Sequence, residues 1–206
     1  MIKAVLFDFD GVLTLDESGS LSTCKYISSA TGITMDVFWN EYKKYNFDLL
    51  KGTLKHEEIW DKICEGMGQD ISIDVLYDSF INTPINFEML KVVQELKEKN
   101  FKIGMVTDNK ADRIEKIVYY HQWHDIFDSI AVSAEIGSSK KEEKIFLSIF
   151  ERLSVNPEEC VFIDNSKENL IVPQNLGVKT IFFDDKKNDV YGLRKELYDL
   201  RIDISL

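Results

Sequence analysis

The sequence predicts an α/β fold: a doubly wound parallel sheet with an inserted α-helical cap. Three observations point there. After residue 83, short apolar runs alternate with helical stretches. Polar residues recur at the carboxyl ends of those runs, where open α/β sheets bind ligands. From Leu21 to about Phe80, by contrast, the pattern reads as helical with no convincing strand. The chain therefore divides into a core, residues 1–14 and 83–206, and a cap, residues 15–82.

The first strand organises the rest. Ile2, Ala4, Val5, Leu6 and Phe7 form a β-branched-rich apolar run suited to a buried parallel strand. It meets Asp8-Phe9-Asp10-Gly11. Side chains on a strand alternate with period two, so Asp8 and Asp10 point the same way. Gly11 lets the backbone turn sharply and approach a ligand. Paired carboxylates in this position suit metal binding, or a nucleophile beside a general acid/base.

Residues 15–22 are polar and are expected to be flexible. Helices are predicted near 22–31, 34–47, 55–65 and 72–80, separated by Gly32, Gly52 and Gly66-Met67-Gly68. Glu57 and Glu58 supply acids to the first turn of the third. Most of Trp39, Tyr42, Tyr45, Phe47 and Trp60 are expected to pack a small core. Asn82-Thr83-Pro84 ends this block. A helix over about 86–99 then leads to the strand Phe101–Val106, tipped by Thr107-Asp108-Asn109. A helix at 110–121 precedes a strand near Ser129–Val132, and one at 142–153 precedes Cys160–Ile163, tipped by Asp164-Asn165. A last strand, Val178–Phe183, and a helix over about 188–199 complete the chain.

Composition sets the bounds. The 206 residues are 44% hydrophobic and 30% charged, which are globular values with enough chain for a real core. A net charge of −11 argues against a nucleic-acid partner, which would want a basic face. Cys24, Cys64 and Cys160 are scattered and lack metal spacing, so reduced thiols are expected. No apolar run approaches membrane-spanning length, and the N-terminal stretch reads as a strand rather than a signal peptide. A cytoplasmic protein with no membrane partner is expected, as a monomer or homodimer.

Four motifs in order give the sequence a close resemblance to the haloacid dehalogenase-like superfamily, specifically its phosphatases with a small helical cap. They are Val5-Leu6-Phe7-Asp8-Phe9-Asp10-Gly11-Val12; Met105-Val106-Thr107-Asp108-Asn109; Ser133–Lys140 followed by Ile145-Phe146; and Val161-Phe162-Ile163-Asp164-Asn165 with Asn169 and Gly177 downstream. The resemblance implies a Rossmann-like core and a Mg²⁺-dependent phosphomonoester hydrolase acting on a small phosphorylated metabolite, such as a sugar phosphate. On that reading Asp8 attacks phosphorus to form an aspartyl-phosphate, and Asp10 acts as acid and then base. Thr107 and nearby backbone N–H groups hold the transferring oxygens, and Lys140 neutralises phosphoryl charge. Asp8, Asp10 through its main-chain carbonyl, Asp164 and Asn165 hold Mg²⁺. Thr107, Asp108, Asn109 and Lys140, with Lys51 from the cap, form the expected substrate contacts.

The chain departs from the pattern twice. Lys140-Lys141 stands where the family usually has Lys-Pro, so Lys144 competes as the functional lysine, although spacing to Ile145-Phe146 favours Lys140. Asn165 replaces the second acid of the last motif. Either metal binding is weakened by the missing charge, or Asp164 takes a larger share. His121 and His124 sit three apart without a nearby third ligand, and Trp123 between them reads as packing. A phosphomutase is the runner-up enzyme, disfavoured because Asp16–Ser22 lacks the histidine such enzymes carry. A dehalogenase would have no use for Asp10. A non-catalytic binding protein finds its only support in Asn165.

Overall fold

The computed structural model describes residues 1–205. Five strands, β1 (Ala4–Phe7), β2 (Lys102–Thr107), β3 (Ser129–Val132), β4 (Cys160–Asp164) and β5 (Lys179–Phe182), form one sheet in the order β3-β2-β1-β4-β5. All four pairings are parallel. The chain runs outward from β1 through β2 to β3, then returns to place β4 on the other side of β1. The switch in strand order therefore falls at β1, and the acidic tip of the first strand stands where such sheets open a crevice.

Alternation along β1 sends its residues to two cores. Val5 and Phe7 join Ile103, Met105, Val161 and Ile163 in the larger cluster, while Ala4 and Leu6 join Val106, Ala131 and Phe162 on the opposite face. Helices α6 (Phe87–Glu98), α7 (Ala111–Tyr120) and α11 (Val190–Asp199) contribute to the first. Helix α9 (Glu143–Leu153) supplies Ile145, Phe146, Ile149, Phe150 and Leu153 to the second. Its close seat depends on Gly104. A Cβ there would lie 2.5 Å from Leu6 Cδ2 and 3.0 Å from Ile149 Cδ1. Two short helices, α8 (Ser133–Ile136) and α10 (Ile171–Asn175), follow β3 and precede β5.

Between Thr14 and Ile85, which pair as an isolated antiparallel bridge, lie five helices. These are α1 (Gly19–Thr31), α2 (Met35–Tyr42), α3 (Asn46–Lys51), α4 (His56–Met67) and α5 (Ile73–Ile81). Three differ from expectation. Helix α1 starts at Gly19 because Ser18 caps it, its hydroxyl accepting from the Leu21 N–H at 3.3 Å. The stretch expected as one helix over 34–47 is two, with a turn at Lys43–Tyr45. Beyond the turn, Leu49 of α3 is buried and the Leu50 carbonyl meets Ser133, the residue after β3. Gly66 lies inside α4, which ends instead at Gly68 with φ +70°.

The linker expected to be flexible is anchored. Asp16 is 8% exposed, accepts from the Ser22 hydroxyl at 3.0 Å and pairs with Lys25, and its carbonyl accepts from Thr14 Oγ1. The helical block also touches the sheet domain directly. His56 Nδ1 on α4 lies 2.6 Å from Asp112 Oδ2 on α7, and its Nε2 is 2.8 Å from the Tyr42 hydroxyl. Ser133 Oγ donates to the Leu50 carbonyl at 2.9 Å. Among the described residues no helix is long and apolar enough to cross a membrane.

The carboxyl-terminal tail closes against α6. Glu95 accepts from Arg194 at 2.5 Å, from the Ser205 N–H at 2.6 Å and from the Ser205 hydroxyl at 2.7 Å. Burial alone would raise this carboxyl; the hydrogen bonds from Arg194, Ser205 and Lys99 outweigh it and hold it down at about 2. A depressed carboxylate contributes stability that is present above its unfolded value and lost as pH falls towards the folded one. Glu95→Gln should therefore lower the melting temperature at pH 7, and thermal denaturation at descending pH should show the gap to wild type narrowing below about pH 4.

Candidate active site

The carboxyl ends of β1, β2 and β4, with the loop before α9, converge on one cavity of about 700 Å³. Asp8 extends the β1 ladder by donating its N–H to the Ile163 carbonyl at 2.9 Å. Its Oδ1 accepts from the Phe9 N–H and from Lys140 Nζ, both at 2.7 Å. The same ammonium lies 2.7 Å from Asp164 Oδ2. All three residues are at least 95% buried. Burial disfavours the Lys140 charge, but Asp8, Asp164 and Asp108 together outweigh it and raise its pKa above the ordinary lysine value. Burial pushes the Asp8 carboxyl up; Lys140 opposes the rise, and Asp164 and Asp10 add to it. The nucleophile candidate thus sits in a dehydrated pocket whose nearest ammonium is shared between two carboxylates.

Gly11 makes the turn after this pair with φ +79°. A Cβ on it would fall 2.1 Å from Asn165 Nδ2, so glycine is required both by conformation and by the approach of the β4 tip. Asp10 accepts a two-pronged contact from Arg113, Nη1 to Oδ2 and Nη2 to Oδ1, each at 2.9 Å. Asn109 Nδ2 donates to Asp10 Oδ2 at 2.7 Å and to Thr107 Oγ1 at 3.2 Å. The Arg113 guanidinium is 1% exposed at the side chain. It also donates to Thr83 Oγ1 at 3.3 Å and lies over the Phe9 ring at 5.1 Å. A Cβ on Gly19 would fall 2.3 Å from its Nη1.

The remaining expected residues separate clearly. Thr107 and Asn109 line the cavity, as does Asp108, whose Oδ1 accepts from the Lys140 N–H at 2.9 Å and so anchors that loop. Asn165 lines the cavity as well. Asp164 does not: it is fully buried, bound by Lys140, the Ser166 N–H and Asn169. Lys140 reaches Asp8, whereas Lys144 points away and donates to the Ile136 carbonyl at 2.7 Å. Lys51 is exposed, lies over the Phe47 ring and does not line the cavity. Asn46 and Leu50, one helical turn apart, form the inward face of α3, and Lys51 is rotated off it. His121 stacks on Trp123 and His124 lies beside Asp125; neither joins the site, and among the described residues no three His, Cys, Asp or Glu side chains form a metal cluster.

With this geometry in hand, comparison with known proteins is direct. A family model of haloacid dehalogenase-like hydrolases matches residues 2–177. The chain belongs to this family. Rat bifunctional epoxide hydrolase 2 is 24% identical over 94% of this chain, which spans 38% of that longer protein. Glyceraldehyde 3-phosphate phosphatase of Methanopyrus kandleri is 27% identical over 79% of this chain and 75% of its own. Among solved structures, a family enzyme from Bacteroides thetaiotaomicron in complex with magnesium and inorganic phosphate superposes with a TM-score of 0.70 at 24% identity, over 94% of this chain and 100% of that one.

Two site residues of this hydrolase escaped the sequence reading: Arg113 and Lys110. Both are cations in the first turn of α7, where the helix dipole favours acids, and that misplacement was the available signal. Lys110 is 4% exposed, and burial, then Arg113, lowers its pKa to about 8. The unfolded lysine holds its proton more tightly, so the full penalty is present below pH 8 and fades as pH rises towards 10.5. Lys110→Met should therefore stabilise the protein at pH 7 by up to about 3 kcal/mol. Denaturant titrations at pH 7 and pH 10 should show the gain shrinking at the higher pH.

Proposed function

We propose that this enzyme is a Mg²⁺-assisted phosphomonoester hydrolase that works on a small phosphorylated metabolite through an aspartyl-phosphate. The observation that carries the reading is Lys140 held 2.7 Å from Asp8 at the tip of β1, with Asp10 two residues on and Thr107 lining the same cavity. In the first half-reaction an Asp8 oxygen bonds to phosphorus as the bond to the alcohol oxygen breaks, and Asp10 gives that oxygen a proton. In the second, water attacks phosphorus, Asp10 takes the proton back, and the bond to Asp8 breaks to release phosphate. Thr107 and Lys140 hold the charge on the transferring oxygens, where positioning and neutralisation supply most of the rate.

Asp10 begins with Arg113 and Asn109 donating to its carboxylate oxygens. These contacts fix its orientation, and at least one must yield before Asp10 can donate to a leaving group. Asp8, Asp10 and Asn165 line the cavity, and the hard oxygens that would hold an ion there are the Asp8 carboxylate, the Asp10 main-chain carbonyl and the Asn165 amide. Together with the sharing of one ammonium between Asp8 and Asp164, this donor set fits Mg²⁺. Bound there, the ion would supply positive charge to the phosphoryl oxygens. On this reading Asp164 acts chiefly by holding Lys140, and residues 15–82 form the cap over the site. Buried, unpaired Cys24, Cys64 and Cys160 suit a reducing compartment such as the cytoplasm, where a monomer or homodimer would act.

A panel of phosphate esters assayed with and without Mg²⁺ should reveal turnover that Asp8→Asn lowers by at least about three orders of magnitude while leaving the fold intact. Mass spectrometry of quenched wild-type enzyme should find phosphate on Asp8. Turnover persisting in the Asp8→Asn protein, with deamidation excluded, would overturn the reading.

A further inference from the structure

The cavity is also lined by polar groups that the chemistry leaves unused. Lys110 lines it from the core side, and Ser20, Asn46 and Leu50 line it from the helical block. The Lys110 ammonium has one long hydrogen bond, 3.4 Å to Ser20 Oγ, and stands 5.6 Å from the Tyr42 ring centroid. No carboxylate among the described residues forms an ion pair with it. Asn46 Oδ1 is buried without a hydrogen-bond partner. Buried polar groups in folded proteins are normally well satisfied, so an orphaned amide oxygen and an ammonium held by one long hydrogen bond in the same cavity mark a place where a ligand completes the bonding.

Charge and position narrow the ligand. Lys140 is committed to Asp8 and Asp164, and Arg113 to Asp10. Of the buried cations at the site, Lys110 is the one without a carboxylate. It sits at the start of the ten-residue helix α7, whose dipole adds positive potential at that point. It also directly follows Asn109, the residue that holds Asp10, the group facing the leaving oxygen. The unpaired ammonium therefore lies on the leaving-group side of the cavity.

We infer that Lys110 and Ser20, with Asn46 beside them, form a subsite for a second anionic group on the alcohol portion of the substrate. The preferred substrates are then phosphate esters whose leaving group itself carries a carboxylate or a phosphate. This assignment rests on the phosphoester reading of the site. An oxygen anion there accepts from Lys110 and the Ser20 hydroxyl. Asn46 either accepts from a neighbouring ligand hydroxyl or, with its amide turned over, donates to the anion.

The test compares kcat/KM for matched pairs: phospholactate against its uncharged amide, and ethylene glycol bisphosphate against ethyl phosphate. Wild-type enzyme should prefer the anionic member of at least one pair by about tenfold or more, mainly through KM, and the responding pair tells carboxylate from phosphate. Lys110→Met should bring that ratio close to one, and Asn46→Asp should lower it through like-charge repulsion. Lys110→Gln provides a second neutral variant should the methionine protein misfold. A ratio unchanged in both Lys110 variants, or a wild type that treats both members of each pair alike, overturns the subsite. A wild type that hydrolyses no phosphate ester overturns the phosphoester reading beneath it.

Discussion

One ammonium between two carboxylates conditions the whole active end of the sheet. Asp8 and Asp164 terminate adjacent parallel strands, and strand pairing brings their main chains together regardless of charge. Two buried carboxylates side by side repel strongly in a medium that screens poorly. Lys140 resolves this at 2.7 Å to each. Its own position is then over-determined, because Asp108 at the tip of β2 captures the Lys140 N–H. Three strands are thus tied by one residue that belongs to none of them.

That arrangement explains why the site combines rigidity with unsatisfied electrostatics. Lys140 offsets one negative charge where several converge; the rise in the Asp8 pKa comes first from burial, with Asp164 and Asp10 adding to it and Lys140 opposing it. A pocket of this kind favours a cation and an incoming group that share its hard-oxygen chemistry. Asp10 answers the same problem differently. Among the described residues its cation, Arg113, is shared with no second carboxylate, whereas Asp8 shares Lys140 with Asp164, although the two aspartates are two residues apart.

Much of this was legible in the sequence, for reasons that differ by element. The alternation of strands and helices and the polar strand tips follow from local periodicity, and the parallel sheet bears that pattern out. The break between α2 and α3 was not legible, since Lys43-Lys44-Tyr45 contains neither Gly nor Pro and the turn answers to packing. Lys51 looked suitable as a cap contact because of its charge and its place before Gly52. Its exclusion depends on which face of a six-residue helix turns inward, which needs the tertiary structure. Arg113 and Lys110 showed in the sequence only as cations at the start of an amphipathic helix; their burial against the site depends on the tertiary structure.

The close approach of Gly19 to Arg113 carries a consequence for how this chain tolerates change. Arg113 touches the chain at both places where it passes between the sheet and the helical block: Gly19 on the way out and Thr83 on the way back. Its other face grips Asp10. A single added methyl at residue 19 has no room except by displacing the guanidinium, and the displaced guanidinium carries the carboxylate with it. Sequence drift in the two crossing segments is therefore not silent: it is transmitted through one rigid planar group to the Asp10 carboxylate.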